Sequence, residues 1–340
     1  MTMTLPQGFT IRPAHSADLE AMYELGRQYQ LAVYGEVDLT LQDLRTFCQA
    51  PTFTLAEQTR LVFDRGGRLV YAVYFEHQAY IRYSLIVDAL PGHENAGVRA
   101  YLMALGEAWA RREMVRAPAQ ACTFLRIWVA TRDRAVTTWF EEQREFAEVR
   151  RFWEMQIALP AAPAIARWPQ GVQLRPFDPG RASRAVFEAD EEMFRDHWGH
   201  LPQDYPTWRH WTVERADFDP TLWFVAYAGE QIVGLSLCRD GARGWVDTLG
   251  VARAWRGQGL GLALLVHSFG AFFQRGRQRV GLGVDAQSLT GAPRLYERAG
   301  MHIAQENVIY EKVLRPGIDL SVRTLVGAGS AESESMGEMR

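Results

Sequence analysis

A glycine-rich turn between a predicted strand and a predicted helix constrains this chain more than any other part of its sequence. Residues 245–251 are largely apolar and strand-forming, and Leu260, Leu264 and Leu265 begin the apolar stripe of a helix. The glycines that free the backbone between these elements are Gly257, Gly259 and Gly261. Such a turn directs unpaired N–H groups and the positive end of the helix dipole at one point. The sequence therefore predicts a phosphate or pyrophosphate site that needs no lysine.

The residues of this turn match a family signature. Residues 256–261 read Arg-Gly-Gln-Gly-Leu-Gly and resemble the R-x-x-G-x-G signature of the GNAT acetyltransferase superfamily, at the strand-to-helix junction where that family carries it. Further along, residues 292–301 resemble the family's A-x-x-L-Y-x-x-x-G-F motif. A Rossmann dinucleotide site is the alternative for such glycines. However, Arg256 stands where its first glycine would be, and no clear ribose-binding acid follows the helix.

Two other segments narrow the resemblance to one branch of the superfamily. Residues 196–199 (Asp-His-Trp-Gly) and 244–251 are similar to the mycothiol synthase-like proteins, which are tandem GNAT chains with a degenerate first half. The superfamily resemblance covers residues 174–314. It implies an N-acetyltransferase that moves an acetyl group from acetyl-CoA to the primary amine of a small molecule, without a metal. The acceptor itself stays open.

Length and composition agree with this class of protein. The 340 residues suggest two domains, and 48% hydrophobic with 23% charged residues supports a full apolar core. The net charge of −3 provides no general field for nucleic acid or an anionic membrane. Three widely spaced cysteines fit neither a disulfide framework nor a zinc site. Without a leader or an apolar run of about 20 residues, we expect a cytoplasmic monomer or homodimer whose partner is a small molecule.

The chain predicts an α/β (α+β) fold of two tandem GNAT domains, each a twisted, mixed and largely antiparallel sheet flanked by helices. The expected parts are a degenerate GNAT-like domain at 1–159, a proline-rich linker at 160–170, a catalytic domain at 171–316 and a disordered tail at 317–340. Residues 173–176 (Gln-Leu-Arg-Pro) repeat the pattern of residues 10–13 (Thr-Ile-Arg-Pro), which favours an internal duplication. Each domain is expected to end in a pair of strands, near residues 159 and 314.

The first half lacks the phosphate-binding signature. At the corresponding place, residues 91–98 read Pro-Gly-His-Glu-Asn-Ala-Gly-Val. Gly97 is kept, but Glu94 puts a negative charge where phosphates would lie. We therefore expect acetyl-CoA to bind once per chain, in the second half.

The resemblance assigns the cofactor contacts. In this family the strand before the phosphate loop carries a bulge and splays from its neighbour, which leaves backbone groups free for the pantetheine arm and the thioester carbonyl. Gly250 is the expected bulge, and Thr290 lies close to where relatives have an asparagine that contacts pantetheine. The predicted cofactor-binding set is Leu249, Gly250, Val251, Arg256, Gly257, Gln258, Gly259, Leu260, Gly261 and Thr290.

Two residues are the catalytic candidates. Tyr296 aligns with the tyrosine that relatives use as the general acid toward the coenzyme A sulfur; the alternative is a core tyrosine. Asp247 is the candidate base, because an alkyl ammonium with a pKa of about 10 must lose a proton before it attacks. By strand alternation it is expected to share a face with Leu249 and Val251. A structural hydrogen bond is the alternative role for this aspartate.

The acceptor side is predicted from the segment between the first two helices of the second half. His197 and Trp198 lie there, and Trp245 stands where the mycothiol synthase pattern has a glutamate. The spacing of His197 and His200 lacks a third ligand, so packing is preferred over a zinc site. An acyl-CoA-binding regulatory module without catalysis is the alternative function, and the presence of Tyr296 favours the enzyme.

Overall fold

In the computed structural model, which describes residues 4–322, twelve strands form a single sheet with helices on both faces. The strands of the first half are β1 (Thr10–Arg12), β2 (Thr59–Phe63), β3 (Leu69–Gln78), β4 (Arg82–Ala89), β5 (Thr123–Ala130) and β6 (Ala147–Ala158). Those of the second half are β7 (Val172–Arg175), β8 (Trp223–Ala228), β9 (Gln231–Asp240), β10 (Gly244–Val251), β11 (Arg279–Asp285) and β12 (His302–Arg315). The predicted fold class, a mixed and twisted sheet flanked by helices, is confirmed.

Apart from the one-turn helix α3, the helices follow the same order in both halves. In the first half they are α1 (Leu19–Tyr34), α2 (Leu41–Cys48), α3 (Leu55–Gln58), α4 (Ala96–Glu113) and α5 (Arg134–Glu142). In the second half they are α6 (Pro179–Phe194), α7 (Tyr205–Trp211), α8 (Leu260–Gln274) and α9 (Ala292–Arg298). Local chemistry sets several ends: Thr40 and Asp43 form a capping box at α2, and α1 stops at Gly35, whose φ is 78°.

Apolar side chains cover both faces of the second half of the sheet. On one face, called here the α8 face, Val246 packs with Phe269 and Phe272, and Ser236 hydrogen-bonds to Ser268 at 2.8 Å. On the other, called here the α6 face, Leu235 and Leu237 pack with Val186, Phe187 and Trp208. Each fully buried side chain of this size contributes roughly 1.5–3 kcal/mol, so these clusters hold the helices around the site.

The two halves exchange their last strands. The order across the sheet is β1-β2-β3-β4-β5-β12-β6-β11-β10-β9-β8-β7, so β6 of the first half lies between two strands of the second, and β12 lies beside β5. Both exchanged strands are antiparallel to their neighbours. The prediction that each half ends in a strand pair is wrong. Residues 147–158 and 302–315 contain no Gly or Pro that would turn the chain, so each is one long strand.

The chain beyond residue 316 stays on the protein as far as it is described. Ile318 pairs with Ala121, and the N–H of Gly199 donates to the carbonyl of Val322 at 2.6 Å. The predicted disorder of the tail does not hold for residues 317–322, and its part at 323–340 lies outside the described residues.

Within residues 4–322, no helix has both the length and the apolar character needed to cross a bilayer.

Candidate active site

The site begins where β10 and β11 separate. The two strands pair in parallel only from Gly244 opposite Val280 to Val246 opposite Leu282. Beyond that point β10 continues to Val251 without β11 beside it. The predicted splay is therefore present, and it leaves backbone N–H and C=O groups of β10 facing a gap.

A bulge at Asp247 accompanies the splay. Val246 pairs with Cys238 and Thr248 with Leu237 on β9, so Asp247 is the extra residue. Gly250 pairs regularly with Leu235, which shows that the prediction of a bulge at Gly250 is wrong. Gly250 has a different reason to be glycine: a Cβ there would lie 3.0 Å from the Met193 sulfur.

A cleft of about 450 Å³ lies between the separated strands β10 and β11. Among the residues that line it are most of those predicted from sequence: His197, Trp198, Asp247, Leu249, Gly250, Val251, Arg256, Gly257, Gly259, Leu260, Gly261, Thr290 and Tyr296. Two predicted residues do not line it. The Gln258 side chain donates to the Ala254 carbonyl, and the Trp245 ring lies over Gly281 beneath the Arg243 guanidinium.

The glycines of the turn have distinct roles. Gly257 and Gly259 have φ angles of 76° and 85°, which L-residues with side chains rarely adopt, and the space beside each is open. Gly261 allows close packing, since a Cβ there would lie 3.0 Å from Leu295. Gly259 is the N-cap of α8 and provides no side-chain cap, so the first N–H groups of α8 are not capped.

Arg256 anchors this turn to the end of α6. Its guanidinium donates to the carbonyl of Val251 at 3.2 Å and to that of Met193 at 3.0 Å, and lies 3.6 Å from an Asp196 carboxylate oxygen. All three nitrogens of its guanidinium thus contact the protein itself.

The first half has a similar pair of separating strands, but the helix that follows the first of them has a capped N-terminus. β4 and β5 pair only over residues 82–84 and 124–126 and then separate around a cavity of about 310 Å³. At the start of α4 the Asn95 side chain accepts from the Val98 N–H at 3.0 Å, and the Glu94 carboxylate accepts from Gly92 at 3.1 Å. This end of α4 is capped by its own side chains, whereas the end of α8 is not.

Tyr296 is buried in the wall of the cleft on α9, with 7% of its surface exposed. Among the described residues its hydroxyl has no hydrogen-bond partner. Burial raises the pKa of Tyr296 to about 12, because the apolar surroundings penalise the phenolate. The side chain therefore holds its proton at neutral pH.

Asp247 lies on the opposite face of the sheet from Leu249 and Val251, so the predicted sharing of a face is wrong. Its carboxylate accepts from Arg239 Nε at 2.9 Å, and Arg239 lies over the Trp245 ring on the α6 face. Leu249 and Val251 pack with Leu260 and Leu264 of α8, so they do not share a face with Asp247. The bulge explains the difference, because an extra residue shifts the alternation by one.

The pKa of Asp247 reflects two opposing effects. Its side chain is 44% exposed to the cleft, yet the protein around it removes enough water to raise the pKa above the usual range. The positive charge of Arg239 lowers the pKa and opposes that increase.

His197 and Trp198 lie on the loop between α6 and α7. His197 stacks on Phe194 with ring centroids 4.3 Å apart, and burial lowers its pKa, which favours the neutral imidazole. Its buried Nδ1 has no hydrogen-bond partner among the described residues. Trp198 lies between the guanidinium groups of Arg126 and Arg150, at 4.6 and 5.1 Å, so it is largely a packing residue at the edge of the cleft.

The structure also brings residues to the cleft that sequence reasoning missed. Phe152 of β6 lines it although it belongs to the first half, and Asp285 at the end of β11 lies beside it. Arg150 holds Asp285 in an ion pair at 2.8 Å. The end of a strand before a polar loop was a usable signal for Asp285. No local signal marked Phe152, because its place depends on the strand exchange.

Comparison with known proteins agrees with this geometry. The sequence profile of the Acetyltransferase (GNAT) family matches residues 183–301. A mycothiol acetyltransferase of Thermobispora bispora is 32% identical over 178 residues, which cover 48% of this chain and 57% of that protein. The chain thus spans little more than half the length of this relative.

Two solved structures extend the similarity over nearly the whole chain. A GCN5-related N-acetyltransferase from Sphaerobacter thermophilus is 34% identical, with a TM-score of 0.80 over 94% of this chain and 100% of that one. A tandem GNAT protein from the clavulanic acid biosynthesis pathway is 13% identical, with a TM-score of 0.69 over 91% of this chain and 100% of its own, and shares the fold. Together with the splayed strands and the glycine turn, this similarity shows that the chain belongs to the GNAT family of N-acetyltransferases.

Proposed function

We propose that the cleft between β10 and β11 is the active site of an acetyl-CoA-dependent N-acetyltransferase that acts on the primary amine of a small molecule. The observation that carries this proposal is the uncapped N-terminus of α8 at the open end of the splay, with Tyr296 in the wall of the same cleft. GNAT enzymes use acyl-CoA as the donor and act on amine acceptors. The location of the site and the nature of the acceptor are both part of this proposal.

The residues present fit the donor. Gly257 and Gly259 have open space where a side chain would be, and the N–H groups that follow them at the start of α8 suit a pyrophosphate. The backbone groups of Leu249 and the N–H of Val251 lie along the gap and suit the amides of a pantetheine arm, whereas the Val251 carbonyl already accepts from Arg256. Thr290 lines the same cleft and shares a 3.0 Å hydrogen bond with Ser288.

The cleft holds a candidate group to donate a proton to the departing sulfur and another to accept the proton of the amine. Acetyl-CoA, when bound, supplies the thioester whose acetyl group is transferred. As the C–N bond forms and the C–S bond breaks, Tyr296 gives its phenolic proton to the departing sulfur. Asp247 takes the proton of the attacking amine directly or through water, and neutral His197 is the second candidate for that role.

The domain division stays part of this proposal. Residues 159–171 contain neither helix nor strand, which supports a linker at 160–170 between the parts 1–159 and 171–316. The capped α4 supports a single acetyl-CoA per chain. The three free cysteines suit the reducing cytoplasm. The proposal there is a protein that acts as a monomer or homodimer.

The alternative is an acyl-CoA-binding regulatory module without catalysis. It uses the same turn but has no need of a general acid, so Tyr296 in the cleft wall favours the enzyme. Product formation separates the two, because a module of this kind binds the donor without acetylating an amine.

The test combines binding with a search for product. Titration calorimetry with acetyl-CoA should give one site per chain. Mass spectrometry should then detect an N-acetyl product with at least one amine of a panel of D-glucosamine, spermidine, L-lysine and L-cysteine methyl ester. Two equivalent sites would contradict the single-site assignment, and tight binding without any product would favour the regulatory module.

A further inference from the structure

The chain after β12 is fastened to a loop of the first half. Arg315 Nε donates to the carbonyl of Ala121 at 3.0 Å, and another of its nitrogens donates to that of Pro118 at 2.6 Å. Directly afterwards, the Ile318 N–H donates to the Gln120 carbonyl at 2.7 Å, and the Ile318 carbonyl accepts from Cys122 at 2.8 Å. Residues 316–322, called here the C-terminal strap, therefore start from a rigid support.

The C-terminal strap then reaches the loop that carries His197 and Trp198. Asp319 accepts from the Ser321 N–H at 2.8 Å in a local turn. The Val322 carbonyl next accepts from the Gly199 N–H at 2.6 Å, and the Val322 N–H donates to the His200 carbonyl at 3.4 Å. Residues 195–204, called here the acceptor loop, are thus joined to the C-terminal strap one residue after Trp198.

Two further supports of the acceptor loop come from the first half, whereas within the second half Asp196 pairs with Arg253 and His197 stacks on Phe194. Arg82 donates to the carbonyl of Gly199, and Leu201 is buried among Ile81, Ala117 and Ala121. The second half alone does not supply these contacts, although the loop lines the cleft of the second half. The C-terminal strap is the one of these supports that directly bonds the backbone N–H of Gly199.

We propose that the C-terminal strap is a positioning element for the acceptor amine: by bonding Gly199 and His200 it holds His197 and Trp198 against the cleft. This inference rests on the proposed function, because it assigns the acceptor side of the same cleft. The proposed donor side is built from β10, α8 and α9, whereas the strap is hydrogen-bonded to the loop at 118–122 and to the acceptor loop. Loosening the strap therefore weakens use of the acceptor and leaves acetyl-CoA binding unchanged.

Gly317 makes the attachment possible. A Cβ at this position would lie 2.4 Å from the Gln120 carbonyl oxygen and 2.8 Å from backbone atoms of Ala121 and Cys122. Because the opposing atoms are backbone, they cannot rotate away, and even alanine forces the strap off its support. Gly270 in α8 offers a matched control, since the nearest atom to a Cβ there is 4.0 Å away.

The test compares two truncations and two glycine variants. Chains ending at Val322 and at Pro316 differ only by the residues of the strap beyond Pro316, and Gly317→Ala is compared with Gly270→Ala. Hydrogen exchange should show the Gly199 amide exchanging roughly three- to tenfold faster in the Pro316 truncation and in Gly317→Ala, as expected when one hydrogen bond is lost. With the best amine of the panel above, KM for the amine should rise by a similar factor while KM and Kd for acetyl-CoA stay within about twofold.

Two results would overturn the inference. Equal protection of the Gly199 amide in the two truncations would show that the strap does not hold the acceptor loop. An equal rise in KM for acetyl-CoA and for the amine would show a general structural role. If the full-length protein acetylates no amine, the proposed function fails, and the exchange experiment still decides whether the strap holds the loop.

Discussion

At the scale of single residues, burial keeps two side chains of the cleft neutral at pH 7. It raises the pKa of Tyr296 to about 12 and lowers that of His197 below its usual value of 6.5, because a charged form is costly where water is excluded. A neutral phenol can give a proton and a neutral imidazole can accept one. The apolar surroundings therefore keep Tyr296 in the form that can act as an acid and His197 in the form that can act as a base.

Replacing Tyr296 tests the acid. Tyr296→Phe keeps the ring in its packing position and removes the proton, so turnover should fall by about 10²–10⁴ while calorimetric affinity for acetyl-CoA changes little. Since the pKa of Tyr296 is near 12, wild-type activity should show no loss from its ionisation up to about pH 10. Tyr310→Phe, a change at a buried tyrosine of β12 that packs in the core of the first half, is the control and should retain turnover. Full turnover in Tyr296→Phe would assign the tyrosine to the core alone.

Substitutions at Asp247 and Arg239 test the proposed base. A base must be deprotonated, so activity falls as the pH drops through the pKa of Asp247, which burial raises and the charge of Arg239 partly lowers. Arg239→Gln should therefore raise that pKa and move the acidic limb of the kcat/KM profile to higher pH. Asp247→Asn should lower the rate near pH 7 and recover partly at high pH, where free amine becomes abundant. If Asp247→Asn lowers the melting temperature with unchanged activity per folded molecule, the aspartate is structural and the role passes to His197.

At the scale of elements, two helix starts in equivalent places differ in one property. α4 is capped by Asn95, with Glu94 beside it, whereas α8 begins at Gly259 without a cap. An N-terminus whose N–H groups are already bonded to a side chain has little left for a phosphate. The two helices thus differ in how many backbone N–H groups at their N-termini are free to bind a ligand.

A pair of glycines tests this difference. Gly92 and Gly259 have φ angles of 79° and 85° with open space around them, so alanine should cost each about 1–2 kcal/mol of stability through backbone strain. Only Gly259→Ala should also weaken acetyl-CoA binding, because the strain distorts the phosphate loop. Thermal unfolding measures the first effect and calorimetry the second. Weaker binding in Gly92→Ala would show that the first half contributes to the donor site.

At the scale of the whole molecule, the exchange of β6 and β12 makes the halves interdependent. Each strand of the pair is hydrogen-bonded on both edges, and the buried ion pair between Arg126 and Glu311, whose side chains are 2% and 6% exposed, crosses from one half to the other. Breaking this pair at its buried site therefore destabilises the protein. The cleft also depends on the exchange, since Phe152 comes from β6.

Fragments test this interdependence. Residues 160–340 expressed alone lack β6, so β11 and β12 each lose a neighbour, and the fragment should not unfold cooperatively or bind acetyl-CoA. Co-expression with residues 1–159 should restore both properties, as measured by circular dichroism and calorimetry. Full affinity in the isolated fragment would mean that the second half folds without the exchanged strand.

The sequence by itself determined the strand, the glycine turn and the helix of the proposed donor site, and the different residues at the equivalent place in the first half. These features are local: the positive φ angles, the free N–H groups and the charge of Glu94 all arise within a few consecutive residues. Tyr296 was found for the same reason, since it stands in a contiguous motif.

Only the tertiary structure decided which distant segments meet. The exchange of β6 and β12, the place of Phe152, the bulge that turns Asp247 to the α6 face and the path of residues 317–322 all depend on the pairing register between segments far apart in the chain. Alternation along a single strand cannot reveal a bulge, because the extra residue is defined by the partner strand. For the same reason the sequence predicted the residues of the proposed donor side, and His197 and Trp198 on the proposed acceptor side, but not Phe152, which the first half adds to the cleft.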